Sequence, residues 1–274
     1  MLAWTGSGAV EAPTSVQIRV SAGTDRLPAG APPPSRAMTR DELLDNVHWF
    51  AVRRAGPRAA ACTQLVLSGV DAVPDWAAVV PAARGWGVQR ITVHGRPRPA
   101  PMVDGWVVVV RQPSDAVARA SWAIPLEEEV LPRLPALVEA ARALRPPGVT
   151  FTWPFPSHGV PPPPPAPVVV DAARWAIEAS RAAGLAVVVK GLPPCTLASI
   201  ADGGALAWRT RNRWVVDADH QREQALLFFP DILRFARPDS CRVCAWATRC
   251  DGVAAPWLDA GLAGPLTPIR RPTP

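Results

Sequence analysis

Tyrosine is missing altogether from the 274 residues, and lysine occurs once, at Lys190, so arginine carries almost all the positive charge behind a net charge of +6. The arginines are dispersed and no basic arm or helical stripe forms, so the electrostatic footprint of a nucleic-acid-binding domain is missing. No apolar run is long enough to span a bilayer, and residues 1–14 lack the basic-then-apolar order of an export signal. The expectation is a cytoplasmic protein that engages neither membrane nor nucleic acid. There is also no phosphate loop, no Gly-x-Ser-x-Gly elbow and no His-Glu-x-x-His helix. His48, His158 and His220 have no nucleophile or carboxylate at a recognisable catalytic spacing, and Asp217 and Asp219 before His220 read as a polar turn rather than a metal triplet.

What is abundant is alanine, proline and tryptophan, with 34 prolines and 12 tryptophans. The tryptophans are scattered, as core and surface packing requires, rather than clustered with basic residues as a base-stacking platform would need. Pro161–Pro165 reads as a stiff spacer between two units.

Strand and helix patterns alternate along the chain. Ser15-Val-Gln-Ile-Arg-Val20 has the two-residue period of a half-buried strand, and Thr39, with Glu42 as its capping-box partner, opens a helix to about Arg54. Further strands are expected at 63–68, 90–94, 106–111, 149–153 and 185–190. Helices are expected at about 75–84, at 126–144 with a break at Pro132 and Pro135, and at 170–183 closed by Gly184. Such alternation argues for a parallel sheet rolled by right-handed crossovers into a partial (β/α)6 TIM-like barrel, with function on the loops after the strands. The expected division is a tail over 1–14, the barrel over 15–237 and a cysteine-rich, cluster-binding segment over 238–274.

The five cysteines are an odd number, and clustering in a reducing compartment points to metal or redox chemistry. Cys241-Arg-Val-Cys244 is a Cys-x2-Cys pair whose tight turn aims two sulfurs at one centre, and Cys250 follows within reach. Cys195, in Gly191-Leu-Pro-Pro-Cys195, sits just past a strand end in a loop stiffened by two prolines and supplies the fourth thiolate. Four thiolates suit a [4Fe–4S] cluster. Zinc is the alternative, although its common ribbons use two Cys-x2-Cys knuckles and only one is present. Simple packing of the thiols is the third reading. Cys62, at the start of an apolar strand, reads as core.

These residues resemble the radical S-adenosylmethionine (SAM) proteins. Gln64 to Asp71, then Pro74-Asp75-Trp76, and Gly85 to Gly95 are similar to that family's second strand, Gly-Gly-Glu-Pro loop, following helix and third strand. Gly191-Leu-Pro-Pro-Cys195 and the stretch from Cys241 to Val253 resemble its auxiliary-cluster ligands. The departures matter as much. The family's Cys-x3-Cys-x2-Cys motif would fall between about Ser21 and Ser35, where there is no cysteine, and the Gly-Gly-Glu-Pro loop is replaced by Ser68-Gly69-Val70-Asp71. The resemblance therefore implies a degenerate member that keeps one auxiliary [4Fe–4S] centre and lacks the machinery to cleave SAM. The cofactor-binding site that remains would be Ser68, Gly69, Asp71 and His94 at the strand ends. A loop histidine such as His94 is first a solvated or hydrogen-bonded residue, so no catalytic residue is assigned. The implied role is an accessory subunit whose partner is an intact radical SAM enzyme or a peptide substrate. An iron–sulfur oxidoreductase of another mechanism and a zinc-stabilised binding module are the alternatives.

Overall fold

The computed structural model describes residues 4–5, 8–9, 15–21, 35–52, 62–73, 75–98, 103–157, 160–200, 213–216, 226–228, 234–248 and 250–270. Along the chain the strands are β1 (Trp4–Thr5), β2 (Gly8–Ala9), β3 (Ser15–Arg19), β4 (Gln64–Ser68), β5 (Arg90–His94), β6 (Gly105–Val109), β7 (Ser121–Pro125), β8 (Val149–Thr152), β9 (Val187–Lys190), β10 (Arg213–Val216), β11 (Leu226–Phe228), β12 (Phe235–Ala236) and β13 (Val253–Ala254). The helices are α1 (Arg40–Ala51), α2 (Val79–Gly85), α3 (Leu134–Leu144), α4 (Ala166–Ala182) and α5 (Ala255–Asp259). His158, Asp217, Asp219 and His220, most of the 1–14 tail and most of the loop after β3 lie outside the described residues.

Contacts divide the chain into two units, one of residues 1–107 with 211–232 and the other of 108–210 with 233–274. In the first, the strands run in the order β11-β10-β3-β4-β5-β6. β3, β4 and β5 pair in parallel, β10 joins β3 in parallel, and β11 closes the edge antiparallel to β10. Strand residues alternate between faces. Val16, Ile18, Leu65, Leu67, Ile91 and Val93 pack with Leu43 and Val47 of α1 and Val79, Val80 and Ala83 of α2 in one core. Ser15, Gln17, Arg19, Gln64, Val66, Ser68, Arg90, Thr92 and His94 fall on the other face.

The second unit holds β7-β8-β9, all parallel. Trp122, Ile124, Val149, Phe151 and Val189 are buried, as are Leu134, Leu137 and Val138 of α3 and Val169, Ala173 and Ile177 of α4. Parallel strands with crossover helices are thus found as expected, but among the described residues no sheet closes on itself. β7 is an addition to the sequence reading. Its last residue is Pro125, which reads as a break because it lacks an N–H, yet a strand's final position tolerates it. The break expected at Pro132 and Pro135 is a 3₁₀ turn at Leu131–Arg133 leading into α3.

The entry to α1 has the anticipated capping box. The Glu42 N–H donates to Thr39 Oγ1 at 3.2 Å and the Thr39 N–H donates to Glu42 Oε2 at 2.7 Å. Arg36 grips both carboxylate oxygens, and this bonding is the main reason the Glu42 carboxyl is held down at about 2. A depressed carboxylate stabilises the fold above its unfolded value, near 4.5, and that contribution is lost as pH falls towards 2. Urea titrations should accordingly show the gap between wild type and Glu42→Gln closing across that window. At neutral pH, Thr39→Ala should cost about 1 kcal/mol.

Candidate metal centre

Cys195, Cys241, Cys244 and Cys250 all belong to the second unit and line one cavity of about 20 Å³, together with Pro193, Arg237, Trp246 and Gly252. Each thiol arrives there through a local turn. Past β9, Gly191 takes the left-handed conformation at φ +87°, where a Cβ would lie 2.1 Å from the Trp153 carbonyl oxygen. Only glycine fits, and the chain then enters a 3₁₀ segment, Pro194–Ile200, that carries Cys195. Thr196 caps this bend, its hydroxyl donating to the Pro193 carbonyl at 2.7 Å.

The other three thiols lie on the excursion between β12 and β13, which pair antiparallel and hold its two ends together. Within it the Cys241 N–H donates to Pro238 O at 2.9 Å and the Cys244 N–H to Cys241 O at 3.1 Å, the tight turn expected of Cys-x2-Cys. The chain turns again where the Ala247 N–H donates to Cys244 O at 3.1 Å, and the Cys250 N–H to Trp246 O at 3.0 Å. Arg237 Nη1 donates to the Ala247 carbonyl across the loop. Gly252, at φ +92°, passes so close to the Ala236 carbonyl oxygen that a Cβ would sit 2.2 Å from it, and its N–H donates to Cys250 Sγ at 3.3 Å. The segment is anchored to the β8 side of the unit by a Phe155–Phe235 ring contact, with centroids 6.1 Å apart, and by the Trp257 Nε1–H, which donates to Pro154 O at 2.8 Å.

Burial is the main cause pushing the Cys195 thiol up to about 11, with the three neighbouring cysteines adding to it. Burial also raises Cys250 and Cys241, while the Gly252 N–H works against the rise at Cys250 and Arg237 against it at Cys241. Four thiolates together would repel one another in a poorly solvated space, so the anionic set needs a cationic centre among them. The donor set is all sulfur and contains no carboxylate or imidazole, which suits iron–sulfur or zinc chemistry. Among the described residues, no group of three or more His, Cys, Asp or Glu forms a ready-made site for a metal ion.

Cys62 is in the first unit, buried in its core, and donates to Gln64 O at 3.1 Å. Ser68 and His94 are register partners at the ends of β4 and β5, and Gly69 follows in the left-handed conformation at φ +67°. Asp71 is apart from that row. It is 64% exposed and pairs with Arg98 at 2.9 Å. Reasoning from the sequence passed over Gly252, although Asp251-Gly252 directly after Cys250 is a turn signal, and Arg237.

Gly252→Ala and Gly191→Ala should each destabilise the fold by about 1–3 kcal/mol, since a backbone carbonyl blocks the new methyl. Gly261→Ala, also at positive φ but with open space around it, should cost less. Urea unfolding of the three variants measures the difference.

No protein-family model matches the chain, and no curated protein matches it by sequence. Among solved structures, the crystal structure of Streptococcus suis SuiB bound to S-adenosylmethionine is similar over 96% of this chain and 77% of that one, with a TM-score of 0.58 at 8% identity. At that identity the similarity is one of fold alone: the chain shares the α/β fold of that structure.

Proposed function

We propose that this chain is a degenerate radical SAM-like protein that binds one [4Fe–4S] cluster through Cys195, Cys241, Cys244 and Cys250 and works in the cytosol as an accessory subunit of an intact radical SAM enzyme, in peptide or natural-product modification. The observation that carries the reading is the distribution of thiols. Four of the five line one cavity, and the fifth is buried in the core of the other unit. A radical-generating cluster needs three cysteines and one open iron, and no second set of three exists in the sequence. The fold similarity to a protein solved with SAM bound supports the radical SAM-like part of the reading.

The single Cys-x2-Cys knuckle, where the common zinc ribbons use two, favours a cluster over a single zinc ion. When bound, a [4Fe–4S] cluster would supply a covalent tie between the two loops and a one-electron carrier. The chain's own residues do the rest. Gly191 and the Pro193-Pro194 pair direct Cys195, the turns from Pro238 to Cys250 direct the other three, and Gly252 offers its N–H to the Cys250 sulfur. Trp246, Leu266 and Pro268 line the same cavity and limit water at the centre.

Anaerobically purified protein should contain about four irons and four sulfides per chain and show the broad absorption of thiolate-bound clusters. Stoichiometric zinc without sulfide would overturn the cluster. Cys244→Ala should lower iron content and the thermal midpoint. With SAM and a reductant, the chain alone should form no 5′-deoxyadenosine above background. Robust formation that Cys244→Ala abolishes would refute the accessory role.

A further inference from the structure

Beyond α5 the chain passes over the cysteine cavity. Residues 264–270 belong to no helix or strand, and their burial alternates. Leu266 and Pro268 are half-buried and line the cavity, whereas Pro265 and Thr267 are exposed. A two-residue period of this kind belongs to an extended segment laid on a surface, with one side down and the other in water.

The two ends of the segment are held in different ways. At the near end Gly261 and Gly264 both take the left-handed conformation, at φ +71° and +63°, and between them the Leu262 carbonyl accepts from the Ala166 N–H, at the start of α4, at 2.7 Å. Gly264 runs so close to α4 that a Cβ would lie 2.5 Å from Pro167 Cγ. At the far end the N–H of Ala245, the residue after Cys244, donates to the Ile269 carbonyl at 2.7 Å. Two glycines beside an anchored residue form a hinge, and a backbone bond on the rim of the cavity forms a latch.

The size of the cavity gives the segment something to do. About 20 Å³ is room for about one water molecule, so a larger centre enters only if a wall moves. The cysteine turns are tied by the β12–β13 pairing, by their own backbone bonds and by Arg237. The Cys195 loop is fixed where Gly191 meets the Trp153 carbonyl. Residues 265–268, in no helix or sheet, are the wall that opens with the fewest interactions broken.

We propose that residues 265–270 are a strap, hinged at Gly261 and Gly264 and latched at Ala245, whose opening controls entry to the cysteine cavity and loss from it. The proposal rests on the metal-centre reading for the identity of what enters, and not for the motion itself.

The test measures two rates on the purified chain: release of its iron or zinc to a chelator, and labelling of each thiol by N-ethylmaleimide, read by peptide mass spectrometry. Cys62, buried in the core of the other unit, reports global unfolding. Gly264→Ala sets a methyl against the Pro167 ring when the strap is closed, and should speed both metal release and the labelling of Cys195 and Cys250, relative to Cys62, about tenfold or more. Adding Pro167→Ala removes the ring atoms that block the methyl and should bring both rates back towards wild type. Leu266→Ala trims the cover and leaves hinge and latch in place. It should also speed labelling of Cys195 and Cys250, and it decides the matter if Gly264→Ala unfolds and Cys62 reacts as fast as the rest. The proposal is overturned if neither variant raises the labelling of Cys195 and Cys250 over that of Cys62. Faster labelling in a chain that takes up neither iron nor zinc would support the strap and refute the metal centre instead.

Discussion

The two-residue alternation of side chains along parallel strands is the constraint from which the first unit follows. Helices α1 and α2 share one core with Val16, Ile18, Leu65, Leu67, Ile91 and Val93. Those residues bury with the helices because each β-branched or leucine side chain gains about 1.5–3 kcal/mol on leaving water. The intervening residues must then project the other way, and all but the buried Val66 are polar. A register slip of one residue would exchange the two sets and place Arg19, Ser68 and His94 under the helices. The same hydrophobic packing that stabilises the strands therefore aligns these three side chains.

In the second unit the comparable constraint is the close approach of backbone to backbone at Gly191 and Gly252. Both glycines run within reach of a carbonyl oxygen that would exclude any side chain, and both sit a few residues from a cysteine. The first bends the chain out of β9 towards Cys195. The second brings the excursion back to β13 after Cys250, with its N–H on the sulfur. Four thiols that are 55 residues apart at the extremes of the sequence thereby line one small cavity, without any of the four being bonded to another. Burial then raises the cost of ionising Cys195, Cys241 and Cys250. A cationic centre is what makes four thiolates compatible with so little solvent.

The cysteine cavity and the row of Arg19, Ser68 and His94 at the strand ends differ in electrostatic sense. The cysteine cavity presents thiols, which become anionic only on losing their protons. The strand-end row presents an arginine, a hydroxyl and an imidazole, with no carboxylate on the three strands.

By itself the sequence determined the elements with strong local signals. The period of Ser15–Val20, the capping box of Thr39 and Glu42, the apolar run before Gly69 and the Cys-x2-Cys turn all reappear where they were read, because each depends on neighbours within a few residues. The thiol-rich segment was legible through its knuckle spacing, whereas the cavity that Cys195 shares with it depends on a contact across 46 residues or more of chain. What only the tertiary structure decided rests on contacts distant in the chain. β7 ends in a proline, and β8 supplies the pairing that makes Ser121–Pro125 a strand. Arg19 looked like the solvated half of an alternating strand until the register set it beside Ser68 and His94 and buried it. Asp71, placed by sequence in the same site as Ser68, pairs with an arginine 27 positions further along, because an ion pair is chosen by space and not by order in the chain.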